Sequence, residues 1–383
     1  MPHRSNEPDQ LQAIMRNYFF GIISIIFTLT ACDQIEKGVK GDYLPEAKGA
    51  TGEIILIMDT AKWNTPLGKE LREVFYAPMP GLLQREPVFQ VRRVHSTQVN
   101  DLLLSHKNLI YVAPFEGNSK ATRRLRNMFS EKSKKQIRND PDQFYRVRDN
   151  VYAKGQKVLY LFAETDSALT ARLDLAHTKL RNVFAQAERK RLLRAMYKKR
   201  TQDGIEAKIR RKHGATFAVP FDYDLVKNVR LDSGRKGFAH IRRIDNTLNV
   251  DRNIFMAYKP YVSERQVEPF QLIAWRDSIC KNNIYDIERP EIYIETETLV
   301  PADPKFKQEE YKGRYALEMR GSWRFTVQTG GGPFVSYIIV DEKTGRLYYI
   351  EGFVYAPGRS KRELIRELET GLWTLAFGSE GED

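Results

Sequence analysis

Apolar and polar positions follow three patterns along the chain, and each pattern predicts a different kind of element. Near the N-terminus, residues 18–29 form one continuous apolar run that polar residues follow. Short apolar runs at residues 53–59 and 108–115 predict buried strands, and the spacing over residues 66–75 predicts a helix. After His213, strand-like runs follow one another with turn residues between them, which is typical of an antiparallel sheet.

One apolar stripe predicts the longest helix, near residues 166–200. Its members recur at steps of four and three, the spacing of one helix face: Leu169, Leu173, Ala176, Leu180, Val183 and Ala187. Such a stripe packs against the protein's own sheet or against a partner helix in a coiled coil. The first interpretation is favoured.

These patterns predict an α+β fold with two subdomains, whose mixed or antiparallel sheets are each packed with helices. A chain of 383 residues is long for a single hydrophobic core. The predicted divisions are a signal peptide at 1–31 and a flexible tether at 32–50. An α+β domain with basic helices at 51–205 and an α+β domain with an antiparallel sheet at 206–383 follow.

The N-terminal apolar run indicates where the protein works. It is shorter than the ~20 residues that a transmembrane helix needs, and it has the length of a signal-peptide core. The tetrapeptide Leu29-Thr30-Ala31-Cys32 resembles the lipobox of bacterial lipoproteins, which implies cleavage before Cys32 and a lipid on its thiol. The alternatives are a buried helix or an ordinary membrane anchor.

The lipobox resemblance implies a cell-envelope protein that is attached to the membrane through Cys32 and faces the periplasm or the cell surface. The region before the apolar run is unusually long and contains Glu7 and Asp9. Translation therefore starts either at Met1 or at Met15, where Met15-Arg16-Asn17 would make an ordinary signal-peptide start.

Positive charge is concentrated in two segments of a chain whose formal net charge is +13. Residues 120–138 and 188–213 are strongly basic, which in a cytoplasmic protein would suggest nucleic acid. Export argues against nucleic acid and favours an anionic lipid or an envelope glycan. The candidate contacts are Arg189, Lys190, Arg191, Lys198, Lys199 and Arg200. The alternative is a solvated helix face.

The sequence offers little evidence of catalysis. If Cys32 carries a lipid, Cys280 has no partner within the chain, so no disulfide framework is expected. Six histidines are scattered singly, without metal-ligand spacing, and no metal site or cofactor is predicted. Common nucleophile and phosphate-binding motifs are missing from the sequence, which argues against an enzyme. A catalytic set assembled from distant residues stays open.

The C-terminal third contains the densest group of candidate ligand-binding residues. Glu318, Arg320 and Trp323 precede a glycine run that includes Gly331 and Gly332. An Arg–Glu pair beside exposed backbone N–H groups suits an anionic or sugar ligand. The alternative is a structural ion pair next to a hairpin turn. Trp275 and Arg276 allow the same two interpretations.

Several short motifs together resemble one protein family. They are Leu83-Gln84-Arg85-Glu86-Pro87-x-Phe89, Trp275-Arg276-Asp277, Glu318-x-Arg320-Gly321-x-Trp323, Gly331-Gly332-Pro333-Phe334-Val335-Ser336 and Glu351-Gly352-Phe353-Val354-Tyr355-Ala356-Pro357. The family is an uncharacterised, domain-of-unknown-function group of predicted Gram-negative (Bacteroidetes-type) lipoproteins. The resemblance spans about residues 50–375. It implies a lipoprotein and no established activity.

Three functions follow from these observations. The leading prediction is a lipid-anchored envelope protein that acts as a binding or structural module. The second is an envelope hydrolase of glycan or lipid, with Glu318, Asp341 or Glu351 as catalytic carboxylates. The third is a membrane-surface adaptor that uses its basic helix at residues 188–213.

Overall fold

The structure, a computed structural model, describes residues 44–140, 142–198 and 201–378. The predicted signal peptide, Cys32, and most of the predicted tether lie outside the described residues, as do Lys199 and Arg200. The described chain forms two compact units. Unit 1 contains residues 44–49, 54–71 and 91–177, and unit 2 contains 50–53, 72–90 and 178–378. Helices and sheets occur in both, so the predicted α+β class is confirmed.

The elements up to residue 174 surround a five-stranded mixed sheet. Its strand order is β2-β1-β3-β5-β4, with β1, β3 and β5 parallel and β4 antiparallel to β5. In chain order the elements are β1 (Glu53–Met58), α1 (Pro66–Phe75), β2 (Gln90–His95), α2 (Asp101–Leu104), β3 (Asn108–Pro114), α3 (Lys120–Arg126), α4 (Glu131–Asn139), β4 (Tyr145–Asp149), β5 (Lys157–Ala163) and α5 (Asp166–Asp174).

Local sequence explains these elements. Every residue of β3 is buried, as expected for a central parallel strand with helices on both faces. The side chains of Ser119, Ser130 and Thr165 accept hydrogen bonds from backbone N–H groups and begin α3, α4 and α5. Polar side chains therefore mark the helix starts that follow the strands.

Residues 45–48, which the sequence analysis assigned to the tether, are paired with unit 1. The backbone N–H of Ala47 donates to the carbonyl of Lys154 at 2.9 Å, and Lys48 N–H donates to the Ser105 carbonyl at 2.9 Å. The folded part of the chain thus includes the last residues of the predicted tether.

The predicted long helix is two helices, α5 (Asp166–Asp174) and α6 (His177–Tyr197). The break coincides with the division between the units, because α5 belongs to unit 1 and α6 after His177 belongs to unit 2. Leu180 and Phe184 are buried in α6, and the Phe184 ring packs edge-on against Phe75 and Phe89. The stripe is therefore covered by the chain itself, as predicted, and no partner helix is needed there.

The rest of the chain is built on an antiparallel sheet of eight strands. The order is β10-β12-β13-β14-β9-β8-β7, and β11 pairs with β12. After α6 come α7 (Asp203–His213), β6 (Ala215–Thr216), β7 (Asp224–Leu231), β8 (Lys236–Asp245), β9 (Val250–Pro260), α8 (Pro269–Asn283), β10 (Ile294–Thr296), β11 (Lys305–Tyr311), β12 (Arg314–Phe325), β13 (Gly331–Asp341), β14 (Arg346–Tyr355), α9 (Arg362–Leu372) and β15 (Ala376–Phe377).

The large sheet has two buried faces, and alternation along β12 decides which residues enter each. Val335 and Tyr337 share one apolar cluster with Leu368 of α9. Met319 and Trp323 share the other with Leu272 of α8. Because successive side chains point to opposite faces, Glu318 and Arg320 lie on the α9 side. In the parts of the chain that the structure describes, no helix is both long and apolar enough to span a membrane.

Candidate functional site

Arg320 is the centre of a buried charge network on the α9 side of the sheet. Its Nη2 lies 2.8 Å from Glu318 Oε2 and 2.9 Å from Glu369 Oε2. The Tyr337 hydroxyl donates to Glu318 Oε2 at 3.1 Å. Burial alone raises the pKa of Glu369, but the guanidiniums of Arg320 and Arg189 outweigh it and hold that pKa at about 2. This geometry matches the alternative interpretation of Glu318 and Arg320 as a structural ion pair.

Arg276 forms a second enclosed pair, on the α8 side. Its Nε and Nη2 donate to the two oxygens of Glu351 at 2.9 and 2.8 Å, and both side chains are fully buried. Arg276 also lies 4.1 Å above the Phe334 ring. This bidentate geometry matches the structural interpretation of Arg276. Its neighbour Trp275 borders a separate cavity of about 700 Å³ between β7–β9 and α8.

The carboxylates proposed for a hydrolase are all engaged in ion pairs. Glu351 is held by Arg276, and burial raises its pKa. Asp341 is 1% exposed, lies 3.2 Å from Arg314 Nε and accepts a hydrogen bond from the Thr344 hydroxyl. Glu318 is held by Arg320. An acid and a base must reach a substrate, and each of these three carboxylates is held by an arginine, so this arrangement does not support them as catalytic residues.

A cleft opens where β12 and β13 meet the segment before β2. We call it the β12–β13 cleft, and its volume is about 320 Å³. This volume lies within the range of small-molecule sites. The lining residues are Leu82, Leu83, Gln84, Glu86, Glu297, Ser322, Trp323, Arg324, Gly330, Gly331, Gly332, Pro333 and Lys361. All of them belong to unit 2.

The glycines shape this cleft by allowing backbone to approach backbone. A Cβ on Gly332 would lie 2.0 Å from the Val354 carbonyl oxygen, and one on Gly331 would lie 2.3 Å from the Trp323 carbonyl oxygen. Neither position accepts a side chain in this arrangement. The cleft wall at the start of β13 is therefore bare backbone.

Trp323, one of the residues that line the cleft, carries an unusual polar group. Its side chain is 2% exposed, and among the described residues its indole N–H has no hydrogen-bond acceptor. A buried donor without an acceptor costs ~1–3 kcal/mol, so such groups need an explanation. Because this nitrogen is closed to solvent, a ligand in the cleft would have to shift part of the cleft wall to supply the acceptor.

Glu86 fixes the opposite wall. It accepts hydrogen bonds from the backbone N–H groups of Lys361 and Arg362 at 2.7 and 3.1 Å, and from the Ser360 hydroxyl. Burial alone raises the pKa of Glu86, but these hydrogen bonds lower it overall. The carboxylate thus supplies acceptors at the start of α9, where helix N–H groups lack partners. It ties residues 82–86 to that helix.

The structure brings together only part of the predicted site. Trp323, Gly331 and Gly332 line the cleft, whereas Glu318, Arg320, Trp275 and Arg276 do not. Leu82, Gln84, Glu297 and Lys361 were not predicted as site residues from the sequence. The motif Leu83-Gln84-Arg85-Glu86 marks this wall in the sequence, but it contributed only to the family resemblance.

Two family models match the chain. Residues 47–197 match one described as a domain of unknown function (DUF8532), and residues 202–374 match another with the same description (DUF4837). No curated protein matches the chain. These matches support the resemblance to a domain-of-unknown-function group and assign no activity.

The predicted anionic-surface contacts on α6 divide into paired and exposed residues. Arg189 lies 3.0 Å from Glu369 and 4.4 Å above the Trp373 ring, and Arg191 lies 2.8 Å from the buried Glu188. Lys190 and Lys198 are exposed. Arg189 and Arg191 are therefore engaged in ion pairs within the chain, and contact of the exposed lysines with an anionic surface stays a prediction.

Proposed function

We propose that this protein is a lipid-anchored binding module of the cell envelope and that its ligand site is the β12–β13 cleft. The observation that carries the proposal is a cleft of ligand size with a bare-backbone wall, next to the buried indole N–H of Trp323, which has no acceptor among the described residues. Leu82, Leu83 and Pro333 supply apolar surface and Lys361 supplies positive charge, whereas Arg324 is paired with Glu295 and Glu297. Such a lining suits a small amphipathic molecule with an acceptor group or an anionic end.

The cleft supports binding better than catalysis. Its two carboxylates are engaged, because Glu86 accepts from the start of α9 and Glu297 accepts from the backbone N–H of Leu299 at 3.0 Å. No histidine is among the described residues that line it. Ser322 therefore has no adjacent base of the kind that activates a hydroxyl nucleophile.

The amphipathic dye 1-anilinonaphthalene-8-sulfonate tests the cleft, since its fluorescence rises in apolar sites. The purified full chain is expected to bind one dye saturably. Leu83→Asp puts a negative charge at a cleft residue that is 59% exposed, so folding should be preserved while dye affinity falls at least ~10-fold. Leu102→Asp changes an exposed leucine of α2 in unit 1 and serves as the matched control.

Equal dye affinity in Leu83→Asp and the unaltered chain would overturn the cleft as the binding site. An equal loss in Leu102→Asp would do the same, because the effect would then not depend on the cleft. Circular dichroism of both variants checks that each is folded.

The lipid anchor rests on Leu29-Thr30-Ala31-Cys32. Expression in a Gram-negative host with labelled palmitate should give a labelled protein in the membrane fraction. Cys32→Ala should lose the label, whereas Cys280→Ala, which alters a buried thiol, should keep it. Retention of label in Cys32→Ala would contradict the anchor.

A further inference from the structure

Three potential metal ligands meet in unit 1, away from the β12–β13 cleft. Glu70 lies on α1, Asp174 is the last residue of α5, and His177 is the first residue of α6. Their ligand atoms all lie within 4.8 Å of one another. All three residues belong to unit 1. We propose that Glu70, Asp174 and His177 bind one divalent zinc ion.

The ligand atoms are near enough to reach one ion after side-chain rotation. Zinc–nitrogen and zinc–oxygen bonds of ~2.1 Å place the ligands of a tetrahedral ion ~3.4 Å apart. His177 Nε2 and Glu70 Oε1 are in direct contact, closer than this spacing, and all separations among the three ligand atoms are within 4.8 Å. Binding would therefore move the His177 and Glu70 atoms apart and replace their hydrogen bond with bonds to the ion.

Electrostatics favours a cation at this point. Asp174 makes no ion pair or hydrogen bond with the described parts of the chain. It lies at the C-terminal end of α5, where the helix dipole disfavours negative charge. The carboxylate of Glu70 lies beside it. A divalent ion would offset both charges.

The ligand set selects the metal. One imidazole and two carboxylates suit zinc, and magnesium or calcium prefer oxygen ligands alone. Three protein ligands leave a fourth position, and Asp174 is exposed, so water or a small ligand can reach it. No metal was predicted from the sequence, because His177 has no other histidine or cysteine at metal-ligand spacing. The spacing Asp174-x-x-His177 was the available signal.

Titration calorimetry of the purified, metal-stripped full chain with zinc sulfate tests this proposal. We expect one saturable site that also raises the thermal midpoint. Asp174→Asn should weaken zinc binding by more than ~10-fold. It should not lower the thermal midpoint of the metal-free protein, because Asp174 makes no ion pair or hydrogen bond with the described parts of the chain. His177→Gln should also abolish the site. Glu73→Gln, an exposed carboxylate on the same α1 helix, should bind zinc normally.

Cobalt gives an independent readout, because Co²⁺ bound at this site should absorb in the visible range and Asp174→Asn should remove that band. Absence of saturable zinc binding would overturn the proposal. So would zinc binding that Asp174→Asn leaves unchanged, because the ion would then be held elsewhere on the chain.

Discussion

Strand β12 passes through two different polar environments within a few residues. Around Glu318 and Arg320, every charge has a partner within 3.0 Å, and α9 covers the network. Around Trp323 and Arg324, the strand borders an open cleft, and an indole N–H lacks an acceptor among the described residues. The contrast shows that a dense charged motif can be structural, while the proposed binding surface lies beside it.

The physical reason lies in desolvation. An arginine is costly to bury unless carboxylates surround it, and once they do, it has no capacity left for a ligand. Arg276 with Glu351 repeats this arrangement on the other face. A ligand instead needs groups whose hydrogen bonds are incomplete, and Trp323 is such a group.

The largest expected effect on stability comes from replacing each of two arginines on β12. Arg320→Met leaves Glu318 and Glu369 without their buried cation and should reduce the free energy of unfolding by ~3–5 kcal/mol. Arg324→Met removes a half-exposed pair with Glu295 and should cost no more than ~1 kcal/mol. Urea denaturation measures both. Equal losses would show that the two environments do not differ.

The pH dependence of stability gives a second test. The pKa of Glu369 is about 2 in the folded protein, below its ordinary 4.5. A lowered pKa stabilises the fold above about pH 4.5, and this contribution disappears as the pH falls toward 2. The unaltered chain should therefore exceed Glu369→Gln in free energy of unfolding by up to ~3 kcal/mol more at neutral pH than at pH 2.

Urea midpoints between pH 2 and 7 check that expectation. A difference between the two proteins that stays constant across this range would show that Arg320 does not hold Glu369 ionised. Arg189 also contributes to this shift.

The smallest expected effect concerns α6, where paired and exposed cations alternate. Each exposed lysine near an anionic membrane contributes ~1 kcal/mol. Lys190→Glu should therefore weaken binding of unlipidated Cys32→Ala protein to phosphatidylglycerol vesicles several-fold, with no loss of stability. Arg189→Glu should mainly lower the thermal midpoint, since it breaks contacts with Glu369 and Trp373. Unchanged vesicle binding in Lys190→Glu would remove α6 as a membrane contact.

Local patterns predicted the fold well, because burial is periodic within an element. Alternation placed Glu318 and Arg320 on one face of β12 and Trp323 on the other, as the structure shows. The break between α5 and α6 was missed, since the apolar stripe continues through Ala176 although the units divide there.

The candidate site was predicted only in part, because its walls come from distant segments. Trp323 and the glycines lie on one hairpin, so they are close together in the sequence and can be grouped from it. Leu82 and Glu86 reach them only through the tertiary fold, and the hydrogen bonds from Glu86 to the start of α9 have no local signature. The sequence likewise gives no local sign that Glu70 lies beside His177, because the two residues meet only through the tertiary fold.

The indole resonances of the four tryptophans test the central claim, which is that the β12–β13 cleft binds an amphipathic ligand. In ¹⁵N–¹H spectra of the full chain, Trp→Phe variants at positions 63, 275 and 373 each remove one indole signal. The signal that none of them removes belongs to Trp323. Adding 1-anilinonaphthalene-8-sulfonate should shift the Trp323 N–H signal and leave the other three in place. Bound dye with an unshifted Trp323 signal would contradict the account.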